Sequence, residues 1–256
     1  MRPIPFIPIA RTAPPWLADL AGAWIFYSVL PAWPWPQPRF ERIARFAPWI
    51  GLLIGALQAG LWLLLAWRGW SAMALAPLVV AAGMRLSGGL HHDGLMDTAD
   101  GVAAGEERRL DAMKDSRVGA SGVLALAVVV LLQITALLRL DDAAPLALVL
   151  AAFWGRMAPL WAMGRFPYLR ADGTAGFHRL HGRPAWDALP GLMALLLLAM
   201  AGVAPVPLLA GAPVAVLVAE RLGRRLGGHT GDSYGASLVL TEAFTLLLMA
   251  VLQAPR

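Results

Sequence analysis

Residues 118–138 read VGASGVLALAVVVLLQITALL, a stretch without a single charged side chain. An α-helix needs roughly 20 apolar residues to cross a hydrocarbon core about 30 Å thick. A helix also satisfies its own backbone N–H and C=O groups, which lipid cannot do. The stretch therefore predicts a transmembrane helix, and similar apolar runs recur on both sides of it.

The recurring apolar runs predict an all-α fold, a polytopic integral membrane helical bundle of about seven spans. The composition agrees, because 14% of the residues are charged against about 25% in soluble domains. We expect a single transmembrane domain over residues 1–256, and an amphipathic segment at residues 16–30 that lies in the membrane interface. The expected spans are residues 47–67, 71–90, 118–138, 143–163, 186–203, 205–220 and 234–252.

Basic residues are distributed unequally between the two sides of this topology. Sixteen Lys and Arg residues precede the first span or lie in loops on one side, and three lie on the other. Positive charge marks the cytoplasmic side of a membrane protein. The asymmetry predicts a multi-pass protein of the bacterial cytoplasmic (inner) membrane, with residues 91–117, 164–185 and 221–233 facing the cytoplasm.

Composition also excludes several classes of site and partner. The chain has no cysteine, which excludes disulfides, thiolate metal sites and cysteine nucleophiles. The net charge of +5 is not gathered into basic runs with interleaved aromatic residues, so we expect no nucleic-acid partner. The expected partners are the lipid bilayer and small-molecule substrates, and whether the chain forms a homo-oligomer stays open.

A cluster of acidic residues follows directly after the second apolar run. Residues 88–101 read GGLHHDGLMDTADG, in which Asp93, Asp97 and Asp100 are spaced to share one face of a helix. Carboxylates that repel one another in this way bind hard divalent cations such as Mg²⁺. The cluster predicts a magnesium site for phosphate chemistry with these three ligands, and the alternative is a solvated acidic loop.

Basic and imidazole side chains near the acids are candidates for the rest of a site. His91 is a candidate general base or metal ligand, or an interfacial histidine bonded to backbone. Lys114 and Arg117 are neighbours on a helical face and suit phosphate, or they anchor the next span. Arg156 lies inside a predicted span, where an arginine indicates a functional site or pairs with a structural carboxylate.

A glycine-rich turn precedes the last predicted span. Residues 227–232 read GGHTGD, and glycines permit tight turns whose N–H groups can hold a phosphate. Gly228, Thr230, Gly231 and Asp232 are therefore candidate substrate-binding residues. Asp232 would act as a metal ligand or as the cap of the following helix.

Three ordered motifs of the chain resemble the cobalamin synthase family. Residues 88–101 match Gly-Gly-hydrophobic-His-x-Asp-Gly-Leu-x-Asp-Thr-x-Asp-Gly, and residues 113–119 match Met-(Lys/Arg)-Asp-Ser-Arg-hydrophobic-Gly. Residues 227–236 match Gly-Gly-x-Thr-Gly-Asp-(Ser/Thr)-x-Gly-Ala. The similarity covers nearly the whole chain and keeps a glutamate of the last span as Glu242, whereas His92 stands where the family usually has an apolar residue.

The resemblance implies a Mg²⁺-dependent membrane transferase of the last steps of cobalamin biosynthesis. Such an enzyme joins adenosylcobinamide-GDP to α-ribazole or α-ribazole 5'-phosphate and releases GMP. The implied metal ligands are Asp93, Asp97 and Asp100, and His91 or Asp100 would take the proton of the ribazole hydroxyl. Lys114, Arg117 and the turn at residues 227–232 would hold phosphates.

Three other functions use similar residues. A CDP-alcohol phosphotransferase would have an Ala-Arg pair after its first Asp-Gly, and residues 93–98 lack it. An aspartate-rich prenyltransferase would have a second acidic motif, for which Asp232 stands too alone. An ion transporter would place acids in the middle of a span, whereas these acids lie at the end of one.

Overall fold

Helices form nearly all of the regular structure of this protein. A computed structural model describes residues 13–170 and 175–253. These ranges contain no β-strand, only one parallel bridge between Tyr168 and His229, so the all-α prediction is confirmed. The helices are α1 (Pro15–Tyr27), α2 (Ala47–Trp67), α3 (Ala72–Leu86), α4 (Leu90–Ala103), α5 (Arg109–Ala112), α6 (Ala120–Leu140), α7 (Ala144–Arg165), α8 (Gly176–His181), α9 (Pro184–Asp187), α10 (Leu189–Met200), α11 (Pro205–Leu209), α12 (Gly211–Leu226) and α13 (Gly231–Leu252), with 3₁₀ turns at Ile43–Phe46 and Asp141–Ala143.

Several helices are long and apolar enough to cross a membrane, so the prediction of a multi-pass helical protein is confirmed. Within the described ranges, four segments meet this criterion, and a bent pair of helices, α3 with α4, makes a fifth if it counts as one span. The predicted count of about seven spans is not confirmed. The four segments are Ile43–Trp67, Ala120–Arg165, Pro205–Leu226 and Gly231–Leu252.

The segment Ala120–Arg165 contains two antiparallel helices. It is 46 residues long, about twice what one span requires. Asp141, with φ of 49°, ends α6, and both α6 and α7 pack against α13. The side-chain amide of Gln253 donates to the carbonyl of Leu140 at 3.4 Å, so α6 and α13 end together while α7 runs back toward the start of α13.

The predicted span at residues 186–203 is shorter than expected. The apolar helical stretch there runs from Pro184 to Met200, below the length needed to cross a bilayer. Prolines lie in the first turns of α10 and α11, where the missing N–H costs nothing. They therefore start new helices in this region. The predicted span at residues 205–220 continues to Leu226.

A sharp bend separates α3 from α4. Gly88 and Gly89 have φ of 67° and 74°, which only glycine adopts without strain. The axis turns by 92° at this point. The span predicted for residues 71–90 therefore ends at Leu86, and the acidic motif forms a separate helix instead of a loop.

The last helix, α13, is the centre of the bundle and contacts α4, α6, α7 and α12. Its buried face includes Ser237, Thr241 and Thr245, each fully shielded from solvent. The most extensive helix contact is between α2 and α7, where Cβ atoms on Gly51 and Gly55 would lie within 2.6 Å of the α7 backbone. Small residues that let backbones approach in this way are typical of helix packing in membranes.

Candidate active site

The crossing of α4 and α13 forms the first part of the site. A Cβ atom on Gly94 would lie 2.6 Å from the carbonyl oxygen of Asp232, so the two backbones touch there. A Cβ atom on Gly235 would lie 3.2 Å from Cα of His91. The crossing therefore brings the acidic face of α4 against the first turn of α13.

Carboxylates from both helices converge at this crossing. Asp97 lies within electrostatic range of Asp93, Asp232 and Asp100, and of the guanidinium group of Arg170. Nη1 of Arg170 lies 2.8 Å from Oδ2 of Asp232. The structure thus gathers the acidic motif, the glycine-rich turn and the loop after α7 into one site.

The side chain of Asp100 also contacts the start of α6. Its two carboxylate oxygens accept hydrogen bonds from the backbone N–H groups of Gly119 at 2.7 Å and Gly122 at 2.8 Å. These N–H groups lie at the start of α6, where backbone N–H groups have no acceptor within the helix itself. Asp100 therefore caps α6 and ties it to α4, and its predicted role as a metal ligand stays a prediction.

The carboxylates supply at most part of the ligand set that a divalent cation would need. In the described part of the chain, no three His, Asp or Glu side chains form a ready-made metal cluster. Mg²⁺ does not require one, because it is commonly held by one or two carboxylates together with substrate phosphates and water. Asp93, Asp97 and Asp232 supply hard oxygen ligands of this kind.

The guanidinium group of Arg170 has one nitrogen in an ion pair and two nitrogens without a partner in the described part of the chain. Its Nη1 is paired with Asp232, whereas its buried Nε and Nη2 have no hydrogen-bond partner among the residues described. A planar guanidinium binds two phosphate oxygens at once. Arg170 is therefore a candidate phosphate ligand next to the carboxylates.

The glycine-rich turn is held rigidly. His229 exchanges backbone hydrogen bonds with the segment after α7, donating to Pro167 at 2.9 Å and accepting from Leu169 at 2.8 Å. A Cβ atom on Gly228 would collide with this segment at 2.6 Å. Thr230 accepts the N–H of Ser233 in a capping box. Gly228 and Thr230 thus shape the turn itself.

His229 is a buried part of the same support. Its Nε2 lies 3.1 Å from the carbonyl oxygen of Ala219, and its Nδ1 lies 3.0 Å from the hydroxyl of Ser233. Burial lowers the pKa of His229 to about 4. A neutral imidazole that donates to Ala219 and accepts at Nδ1 satisfies both contacts.

A pocket opens beside the carboxylates, with about 710 Å³ of space that includes its solvent-open mouth. Of the predicted site residues, His91, Asp93, Arg156, Gly231 and Asp232 line it. Additional residues come from α1, α7 and α8, among them Tyr27, Leu160, Met163 and His178.

The buried side chains of Arg156 and His91 line both this pocket and a second cavity, which Gln133 and Glu242 also line. Nη1 of Arg156 pairs with Glu242 of α13 and also donates to the carbonyl of Ala152 at 3.2 Å. Glu242 is therefore the structural carboxylate with which Arg156 pairs inside the bundle. His91 is 5% exposed, and its Nε2 has no partner within the described ranges.

Lys114 and Arg117 lie outside the pocket. Both are exposed in the loop between α5 and α6. Arg117 forms an ion pair with Asp115, two positions before it, at 2.6 Å. This pair and the backbone hydrogen bond of Arg117 lower the pKa of Asp115 to about 2. The structure does not bring their charges to Asp93 or Asp232, so their phosphate contacts stay predictions.

Several residues of the site have no local signal in the sequence. Arg170 lies in a polar loop whose composition is uninformative, and its pairing with Asp232 spans 62 positions. Tyr27 and His178 belong to short helices that only the tertiary fold brings to the pocket. Burial raises the pKa of Tyr27 and lowers that of His178 to about 4.

Comparison with known proteins identifies the family. A family model described as cobalamin-5-phosphate synthase matches residues 19–250. The chain belongs to the cobalamin-5-phosphate synthase family. The expected resemblance is thereby confirmed, and the match covers all elements from α1 to most of α13.

Relatives of the cobalamin-5-phosphate synthase family agree over nearly their whole length. An adenosylcobinamide-GDP ribazoletransferase of Prochlorococcus marinus (strain MIT 9303) is 63% identical over 94% of this chain and 98% of its own. The protein of the same name from Thermosynechococcus vestitus is 40% identical over 90% of this chain and 95% of its own. No solved structure matches the chain.

Proposed function

We propose that this protein is an adenosylcobinamide-GDP ribazoletransferase that acts in the last steps of cobalamin biosynthesis. It joins adenosylcobinamide-GDP to α-ribazole or α-ribazole 5'-phosphate and releases GMP. The family membership and the names of the full-length relatives support the reaction. The observation that carries the site is the convergence of Asp93, Asp97, Asp232 and Arg170 at the α4–α13 crossing.

The reaction is a phosphoryl-group substitution. A ribazole hydroxyl oxygen forms a bond to the phosphorus next to the cobinamide, and the bond from that phosphorus to the oxygen of GMP breaks. The hydroxyl proton passes to a base, and GMP leaves with the bridging oxygen. Positioning and charge stabilisation provide most of the catalysis in such transfers.

We assign the metal to the carboxylates of the crossing. Asp93, Asp97 and Asp232 would hold Mg²⁺, which when bound offsets negative charge on the diphosphate. Arg170 donates its free N–H groups to phosphate oxygens and keeps Asp232 in place. His91, whose Nε2 is buried at the pocket wall, is the side chain best placed to accept the hydroxyl proton.

The proposal is tested with purified protein in liposomes, adenosylcobinamide-GDP and α-ribazole 5'-phosphate. We expect GMP release that requires both substrates, stops on addition of EDTA and returns with Mg²⁺. Asp93→Asn serves as the inactive control. GMP release without ribazole would indicate a hydrolase, and full turnover in EDTA would refute the metal assignment.

A further inference from the structure

The pocket has a second wall that the transfer chemistry does not use. Away from Asp93 and Asp232, it is lined by Phe26 and Tyr27 of α1 and by Leu160 and Met163 of α7. Phe26 is held edge-on against Tyr27, with ring centroids 4.9 Å apart. This wall is mostly apolar and includes two aromatic side chains, which suits a hydrophobic ring system.

Buried polar groups of the pocket lack partners. Across the part of the chain that the structure describes, Nδ1 of His178 and Nε2 of His91 have no hydrogen-bond partner, although both side chains are at least 93% shielded. Native proteins rarely leave such groups unpaired. A ligand in this pocket would therefore have to offer hydrogen-bonding atoms to these imidazoles.

We infer that this wall binds the dimethylbenzimidazole base of α-ribazole, an assignment that rests on the proposed function. The two methyl groups lie toward Leu160 and Met163, and the unsubstituted ring nitrogen accepts a hydrogen bond from the imidazole N–H of His178. The ribose then points toward Asp93 and Asp232, where its hydroxyl meets the diphosphate.

The chemistry of the wall favours this base over the other ring systems of the substrates. Guanine has several donors and acceptors along its edges, and His178 alone would leave most of them unpaired. The corrin ring carries several amide side chains, which this mostly apolar wall would leave without hydrogen-bond partners. Burial lowers the pKa of His178 to about 4, so its imidazole is neutral and keeps one N–H.

The first test changes the size of the apolar end. Met163→Trp fills space where the methyl groups are expected, so the variant should prefer α-ribosides of unsubstituted benzimidazole. We expect the ratio of kcat/KM values, benzimidazole over dimethylbenzimidazole, to rise at least fivefold above wild type. Met73→Trp at a lipid-exposed position is the matched control and should leave the ratio unchanged. An unchanged ratio in active Met163→Trp refutes the assignment.

The second test changes the hydrogen bond. His178→Phe keeps a ring but removes the donor, and we expect the KM for α-ribazole to rise about tenfold with the KM for adenosylcobinamide-GDP within twofold. His178→Asn restores a donor and should recover part of the loss. A rise in the KM for adenosylcobinamide-GDP instead would assign the wall to that substrate. Failure of the wild type to release GMP would refute the proposed function, which is a separate outcome.

Discussion

Gly94 sets the spacing between the two acidic segments of the site. Because its missing side chain lets α4 touch the backbone of Asp232, carboxylates 139 positions apart in sequence occupy one crossing. Asp93 and Asp97 could be grouped from their spacing alone, since residues four apart share a helical face. Asp232 of α13 could not be assigned to the same site from the sequence, because its neighbouring residues do not distinguish a metal ligand from a helix cap.

Gly94→Ala is expected to reduce turnover about 100-fold. The new Cβ would lie 2.6 Å from the Asp232 carbonyl oxygen and would push α4 from α13 by a fraction of an ångström or more, a displacement that is costly in transferases. GMP release by liposome-embedded protein measures the effect. Gly60→Ala, where a Cβ meets no atom within 4 Å, should keep wild-type turnover. Equal activity of both variants would show that the crossing tolerates movement.

Asp100 and Asp93 are expected to respond differently to the same substitution. Asp93→Asn should abolish turnover with little change in thermal stability, because a metal ligand is lost. Asp100→Asn should lower the free energy of unfolding by about 1 kcal/mol, since one of the two backbone N–H groups it caps loses its acceptor. Thermal unfolding and the Mg²⁺ dependence of GMP release measure both. A raised Mg²⁺ requirement in Asp100→Asn would restore its assignment as a metal ligand.

At the scale of helices, apolar runs predicted where membrane segments lie better than how they bend. Four of the expected spans, those beginning near residues 47, 118, 143 and 234, agree with α2, α6, α7 and α13. The sequence pattern does not show that the run at residues 71–90 ends at Leu86, because the composition does not change at Gly88 although the axis turns by 92°. Arg156 was recognised as a costly intramembrane charge, but its partner Glu242 lies 86 positions away and only packing identifies it.

The attachment of α1 offers a prediction at this scale. Asp19 is fully buried and holds Arg39 at 2.7 Å and Arg45 at 2.5 Å, which fixes α1 against the start of α2. We expect Asp19→Ala to lower the free energy of unfolding by about 1–3 kcal/mol. It should also raise the KM for α-ribazole, because Phe26 and Tyr27 of α1 line the pocket.

Thermal unfolding and steady-state kinetics test the attachment of α1 together. Glu41→Ala is the matched control, since Glu41 pairs with Arg39 at 3.3 Å on the exposed surface, where such pairs contribute little. If Asp19→Ala behaves like Glu41→Ala in both measurements, α1 is not anchored by its buried aspartate.

At the scale of the whole molecule, the site and most of the basic residues lie at the same end of the bundle. The start of α13, the end of α7 and the start of α6 meet there around α4. The opposite end gathers the ends of α6 and α13, where Arg139 donates to the carbonyl of Gln253 at 3.3 Å. The uneven distribution of Arg and Lys along the sequence therefore corresponds to the two ends of the structure. The prediction that the site faces the cytoplasm follows from the rule that positive residues mark the cytoplasmic side.

The orientation predicts which positions an impermeant thiol reagent can reach. The chain has no cysteine, so single probes are read without background. Ser116→Cys is exposed in the loop next to Asp100, and Ser71→Cys is exposed between α2 and α3 at the opposite end. In intact cells we expect labelling of Ser71→Cys alone, and in permeabilised cells labelling of both. Labelling of Ser116→Cys from outside intact cells would reverse the orientation. It would place the carboxylates on the side opposite to the nucleotide pool, and a GMP-releasing site there would have no supply of its GDP-linked substrate from the cytoplasm.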